Sequence, residues 1–119
     1  MNPYLNPQNQ PHLKLEVFLD AWSSVDCLID TGFSGGIALP ESYLSGFKHS
    51  PSVYQEFELA DGSYTTFAVY QTKVKFEKIV KDSTLFFTKS SEGLVGIEFL
   101  TGFKFTLDLK MSLVKLEQP

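Results

Sequence analysis

Apolar residues fall at every second position in one short run after another. Leu13, Leu15, Val17 and Leu19 alternate with Lys14, Glu16, Phe18 and Asp20, and the runs 53–59, 64–70 and 103–109 repeat the pattern. Period two sends successive side chains to opposite faces of an extended chain. Further strands are expected over 25–30, 37–39, 79–88 (kinked near Lys81-Asp82) and 112–116, with turns at 20–24 and at Asp61-Gly62. An Asp-Gly pair between two such runs is a hairpin signal, expected as a turn with both central residues at positive φ. The 3.6-residue period lasts only long enough for one or two short helices, at 40–44 and just before Gly102. Many short strands and sharp turns predict an all-β barrel or sandwich.

The chain has 119 residues, enough for one domain, and its eleven Phe can fill a core in so short a chain. Residues 1–11 hold Pro3, Pro7 and Pro11 among asparagines and are expected as a flexible arm, with the ordered domain at 12–119. All ten basic residues are Lys, against fourteen acidic ones, for a net charge of −4. That balance argues against nucleic-acid binding, which needs a basic face and usually Arg. No apolar run reaches the ~20 residues that span a bilayer. Cys27 is alone, which leaves no internal disulfide and no cysteine-rich zinc site. The expected location is the cytoplasm. No metal and no cofactor is implied.

One motif carries chemistry. Asp30-Thr31-Gly32 closes an apolar strand through Leu28-Ile29 and opens a loop with Gly32, Gly35 and Gly36. The triplet arises by chance in about 2% of chains this long, so its weight comes from context. An acid carried to the edge of a buried sheet is costly unless it is paired or used. A phosphate cradle does not fit, because the Lys-Ser/Thr of a P-loop is missing.

Three pieces resemble the single-domain, retropepsin-like aspartic peptidases, in the family's order. They are Leu28-Ile29-Asp30-Thr31-Gly32-Phe33-Ser34-Gly35 with Ile37-Ala38-Leu39-Pro40, then Leu59-Ala60-Asp61-Gly62-Ser63, then Leu94-Val95-Gly96-Ile97-Glu98-Phe99-Leu100. The small prokaryotic group with an Asp-Thr-Gly-Phe-Ser-Gly loop is the most similar. The resemblance implies a closed barrel with a flap hairpin, active as a two-fold homodimer that cuts extended polypeptide. Asp30 would be catalytic, one from each subunit. Thr31, Gly32, Leu94, Val95 and Gly96 would support the active loop. Ser34 and the flap tip Ala60, Asp61, Gly62 and Ser63 would meet substrate. Phe33 stands where many relatives have a small residue, which implies a narrower pocket. Ile97 replaces a basic dimer brace of viral members.

Other residues have plainer expectations. Asp26 is a solvated strand residue, Glu98 a cap or solvent-facing group, and Cys27 a small buried apolar side chain. His12 and His49 are expected at the surface. Two further functions fit the sequence. One is a retropepsin-like module that binds peptide or dimerises with little catalysis. The other is a barrel around an apolar ligand, which requires a roomy, dry cavity.

Overall fold

The computed structural model describes residues 1–118. Its strands are β1 (Tyr4–Leu5), β2 (Pro11–Phe18), β3 (Trp22–Ile29), β4 (Ile37–Pro40), β5 (Val53–Glu58), β6 (Tyr64–Phe76), β7 (Ile79–Thr88), β8 (Gly93–Val95), β9 (Lys104–Asp108) and β10 (Leu113–Glu117). A 3-10 turn covers Glu41–Gly46 and one helical turn, α1, covers Ile97–Leu100. The all-β expectation with short helices holds. No helix among the described residues is long and apolar enough to cross a membrane.

Eight strands hydrogen-bond in the order β1-β2-β3-β8-β4-β7-β6-β5. A further pairing of β2 with β6, Glu16 opposite Lys75 and Val17 opposite Val74, closes β2 to β6 into a six-stranded barrel. β3 with β8 and β4 with β7 are the parallel pairs. The alternation read in β2 is realised: Leu13, Leu15 and Val17 are buried while Lys14 and Phe18 face out. They meet Val25, Cys27, Ile29, Ile37, Leu39, Val74, Phe76, Leu85, Val95 and Phe99 in one core. These side chains pack together inside the barrel.

Several boundaries differ from the sequence reading. β3 begins at Trp22, because Trp22, Ser23 and Ser24 pair with Phe18, Val17 and Glu16 and the turn shrinks to Leu19–Ala21. The run 64–70 continues without a break to Phe76 as one strand, β6. Its first half pairs with β5 outside the barrel and its second half with β7 in the wall. Residues 1–11 lie along the barrel: Tyr4 pairs with His12 and Leu5 with Pro11, and Asn2 exchanges two hydrogen bonds with the Lys14 backbone.

The expectation for His12 is corrected. Its residue is 9% exposed, covered by the stacked Tyr4 ring and bonded to Asp26. Asp26 stays exposed, His49 stays at the surface, and Cys27 is fully buried.

Candidate active site

The parallel β3–β8 pair delivers Asp30 to the mouth of the barrel. Ile29 lies opposite Val95, and one residue later the Asp30 N–H donates to the Val95 carbonyl at 2.9 Å. The carboxylate is half-buried. Its Oδ1 accepts from the Gly32 N–H at 2.9 Å, and the Asp30 carbonyl accepts from the Phe33 N–H at 3.1 Å. This tight Asx-type turn orients the acid without reaching for a second side chain. The other carboxylate oxygen has no hydrogen-bond partner among the described residues.

The loop after Asp30 is gripped from behind by β8 and α1. Gly96 N–H donates to the Gly36 carbonyl (2.8 Å), Ile97 N–H to that of Phe33 (2.8 Å) and Glu98 N–H to that of Gly35 (3.2 Å). The first amides of a helix lack intrahelical acceptors, so loop carbonyls satisfy them here. The approach is close enough to require glycine at 96. A Cβ there would sit 2.4 Å from the Gly35 carbonyl oxygen and 2.5 Å from that of Phe33. From the other side, Gly36 N–H donates to Thr84 Oγ1 at 2.9 Å, and Glu98 Oε1 accepts from the Thr84 hydroxyl (3.0 Å) and amide (2.9 Å). Glu98 is solvent-exposed, as the sequence implies, and is also a structural acceptor.

The β5–β6 hairpin projects over this region. Leu59 N–H donates to the Ser63 carbonyl and Gly62 N–H to that of Leu59. The hairpin is as read, but its turn is not. Only Gly62 has positive φ, at +86°. Asp61 Oδ1 accepts from both the Ser63 amide and hydroxyl, which favours a longer loop with a single left-handed glycine over a two-residue turn. These hydrogen bonds from Ser63 hold the Asp61 carboxyl below its ordinary pKa.

Between hairpin and loop lies a cavity of about 220 Å³ lined chiefly by Phe33, Phe57, Phe67, Phe86, Leu94 and Leu59. Phe86 is the hub, edge-on to Phe33 (centroids 5.6 Å) and to Phe57 (5.4 Å). Phe33 forms one wall of the space beside the loop. The fold brings Asp30, Thr31, Gly32, Ser34 and the Leu94-Val95-Gly96 segment to one place, with Thr31, Gly32 and Ser34 exposed. The tip residues Ala60, Asp61, Gly62 and Ser63 lie beyond the cavity-lining Leu59. Thr84, Phe57, Phe67 and Phe86 complete the site and were not singled out by the sequence. Phe57, Phe67 and Phe86 come from three different strands, β5, β6 and β7, and only their place in alternating runs could have hinted at them.

The barrel, its hairpin and the clamped Asp-Thr-Gly loop define the retropepsin-like aspartic protease fold. Among the solved structures that superpose on it are two proteases. The protease of simian foamy virus superposes with a TM-score of 0.56 at 15% identity, over 75% of this chain and 90% of its own. A retropepsin-like aspartic protease from Rickettsia conorii superposes with a TM-score of 0.60 at 17% identity, over 89% of this chain and 82% of its own. No family model matches the sequence, and no curated protein matches it.

Proposed function

We propose that the protein is a homodimeric aspartic endopeptidase. The peptidase unit spans 12–119, residues 1–11 form an appended arm, and it works in the cytoplasm on extended polypeptide. The observation that carries this is the Asp30 carboxylate, fixed through one oxygen and open at the other, on a loop clamped by two elements.

The chemistry needs two carboxylates that share a proton. The ionised one takes a proton from water as it attacks the scissile carbonyl, and the protonated one polarises that carbonyl. Two acids so close cannot both ionise, so they titrate as a unit. The chain has one Asp-Thr-Gly, so the second acid is Asp30 of another copy across a two-fold axis. Thr31 would brace the partner loop, while Gly32, Leu94, Val95 and Gly96 hold the acid in place. The hairpin tip at Ala60, Asp61, Gly62 and Ser63 would close over the peptide, with Ser34 beside it, and exclude water. An apolar substrate side chain fits the phenylalanine-lined cavity.

A free strand edge favours the dimer. β9 pairs only with β10 among the described residues; Leu107 within it and Leu109 and Met111 just after it are 40%, 55% and 70% exposed. Laid antiparallel on its own copy about Thr106, β9 sets Lys104 opposite Asp108 and Phe105 opposite Leu107. Such self-complementarity is what a two-fold interface requires.

Asp30→Asn tests the proposal. Purified protein should cut an unfolded protein at mildly acidic pH, be blocked by a statine-type transition-state mimic, and lose cleavage in the variant. Cleavage that survives the substitution would overturn the assignment. The second reading, a peptide-binding module with little catalysis, draws on the Phe33 ring crowding the loop. It requires peptide binding without turnover in wild type and in Asp30→Asn alike.

A further inference from the structure

Away from the cleft, four segments enclose one imidazole at the start of β2. The His12 ring stacks on Tyr4 of β1 (centroids 5.3 Å, planes 26° apart). Its Nδ1 lies 2.9 Å from Asp26 Oδ1 on β3. Its Nε2 lies 3.2 Å from Asn6 Nδ2 and 3.5 Å from Glu92 Oε1, in the connection leading into β8. The Tyr4 hydroxyl donates to Asp26 Oδ2, and Lys14 Nζ sits 5.4 Å from the Tyr4 ring centre. The ionisable groups around the ring are therefore Tyr4 of β1, Asp26 of β3, Glu92 ahead of β8, and Lys14 of its own strand β2. The hydrogen bond to Asp26, with smaller help from burial, pushes the Tyr4 pKa up to about 12, so it stays a donor at physiological pH.

The donors fix where the protons are. Asn6 Oδ1 accepts from the backbone amides of Gln8 (3.0 Å) and Gln10 (2.9 Å), so the amide nitrogen faces the other way. That nitrogen donates to Gln10 Oε1 (3.0 Å) and to His12. His12 Nε2 must then offer a lone pair, and Nδ1 carries the hydrogen given to Asp26.

We propose that His12 is a proton-operated clasp that holds residues 6–10 through Asn6 when neutral and exchanges Asn6 for Glu92 when protonated. A proton on Nε2 puts two donors face to face across 3.2 Å, while the Glu92 carboxylate gains a charged partner at 3.5 Å. The Asp26 bond strengthens at the same time. The exchange follows the second proton onto the ring. Acid thus releases the Asn6 side chain from the ring, loosening its hold on the Gln8 and Gln10 amides, and tightens the connection into β8, whose Val95 carbonyl holds the Asp30 amide. The clasp does not depend on the protein being a peptidase.

NMR of the full chain from pH 8 to 5 tests it. The His12 nitrogen shifts should report the Nδ1–H tautomer at pH 8. Protection of the Gln8 and Gln10 amides, corrected for intrinsic exchange, should fall about tenfold as His12 protonates. Asn6→Asp supplies an acceptor in place of the donor, so it should raise the His12 midpoint and keep that protection in acid. Glu92→Gln should lower the midpoint and leave the tautomer at pH 8 unchanged. An Nε2–H tautomer at pH 8 would overturn the clasp. So would equal protection of Gln8 and Gln10 on both sides of the wild-type His12 titration.

Discussion

Thr84 and Glu98 are joined twice: one carboxylate oxygen accepts from both the backbone amide and the hydroxyl of the threonine. The same hydroxyl accepts from the buried Gly36 amide, so this pair fixes the far end of the Asp30 loop. Thr84→Val keeps the shape and removes the acceptor. It should cost about 1–3 kcal/mol, since a buried amide is left unpaired. Urea denaturation checks the loss, and cleavage should fall with it. Unchanged stability would mean that water replaces the hydroxyl.

Gly96→Ala should be far more damaging than its size suggests. The added methyl meets two carbonyl oxygens of the loop, at 2.4 and 2.5 Å, and neither is a flexible side-chain end. We expect a loss of about 3 kcal/mol or more, read as a lower thermal midpoint or as failure to accumulate folded protein. Gly62→Ala, where a Cβ meets nothing but φ is +86°, should cost only about 1 kcal/mol.

Charge reversal tests the self-pairing of β9. Lys104→Asp should weaken the dimer in sedimentation by setting two acids opposite each other, and Asp108→Lys should do so by setting two amines opposite. The double variant Lys104→Asp/Asp108→Lys restores opposite signs and should restore the dimer. A double variant as weak as the singles would place the interface elsewhere.

Cys27 should be inert in the folded protein. Burial first, then the Asp26 and Glu92 carboxylates, push its thiol from 9.0 to about 12. Iodoacetamide at pH 8 should label it only after denaturation. The folded pKa lies above the unfolded one, so the stability it brings is full below about pH 9 and fades as pH rises toward 12. Cys27→Ala should flatten that alkaline decline. Labelling of native protein at the rate of a free thiol would contradict the assignment.

Glu77 sits at φ +55° in the two-residue turn between β6 and β7. Left-handed backbone is strained for a side chain with a Cβ, so Glu77→Gly should stabilise by about 0.5–1 kcal/mol despite the looser unfolded chain. A higher urea midpoint with unchanged m-value is the expected result.

The barrel is legible in the sequence wherever neighbours in the chain decide the outcome. Alternation marks β2 because one face is packed and the other wet, and the strand-end position of Asp30 follows from Leu28-Ile29. What stays hidden is long-range. Gly36 and Thr84 are 48 residues apart, and nothing in either flank points to the other. His12 is read as a surface residue because its cover comes from Tyr4 and Asn6 in a proline-rich stretch, and from Glu92 eighty residues away. The turn at Asp61-Gly62 escapes for a local reason. The dipeptide suits two loop lengths, and the Ser63 hydroxyl, bonding back to Asp61, selects the longer one.

β6 runs unbroken for thirteen residues, from the tip of the projecting hairpin into the barrel wall. It is a lever with its fulcrum near Val69 and Tyr70, where pairing passes from β5 to β7. A push on the hairpin from above is felt below as torque on the seam with β2. Substitutions in the lower seam, around Val74 and Lys75, should therefore reach the upper arm through this one strand, though they lie far from anything it touches.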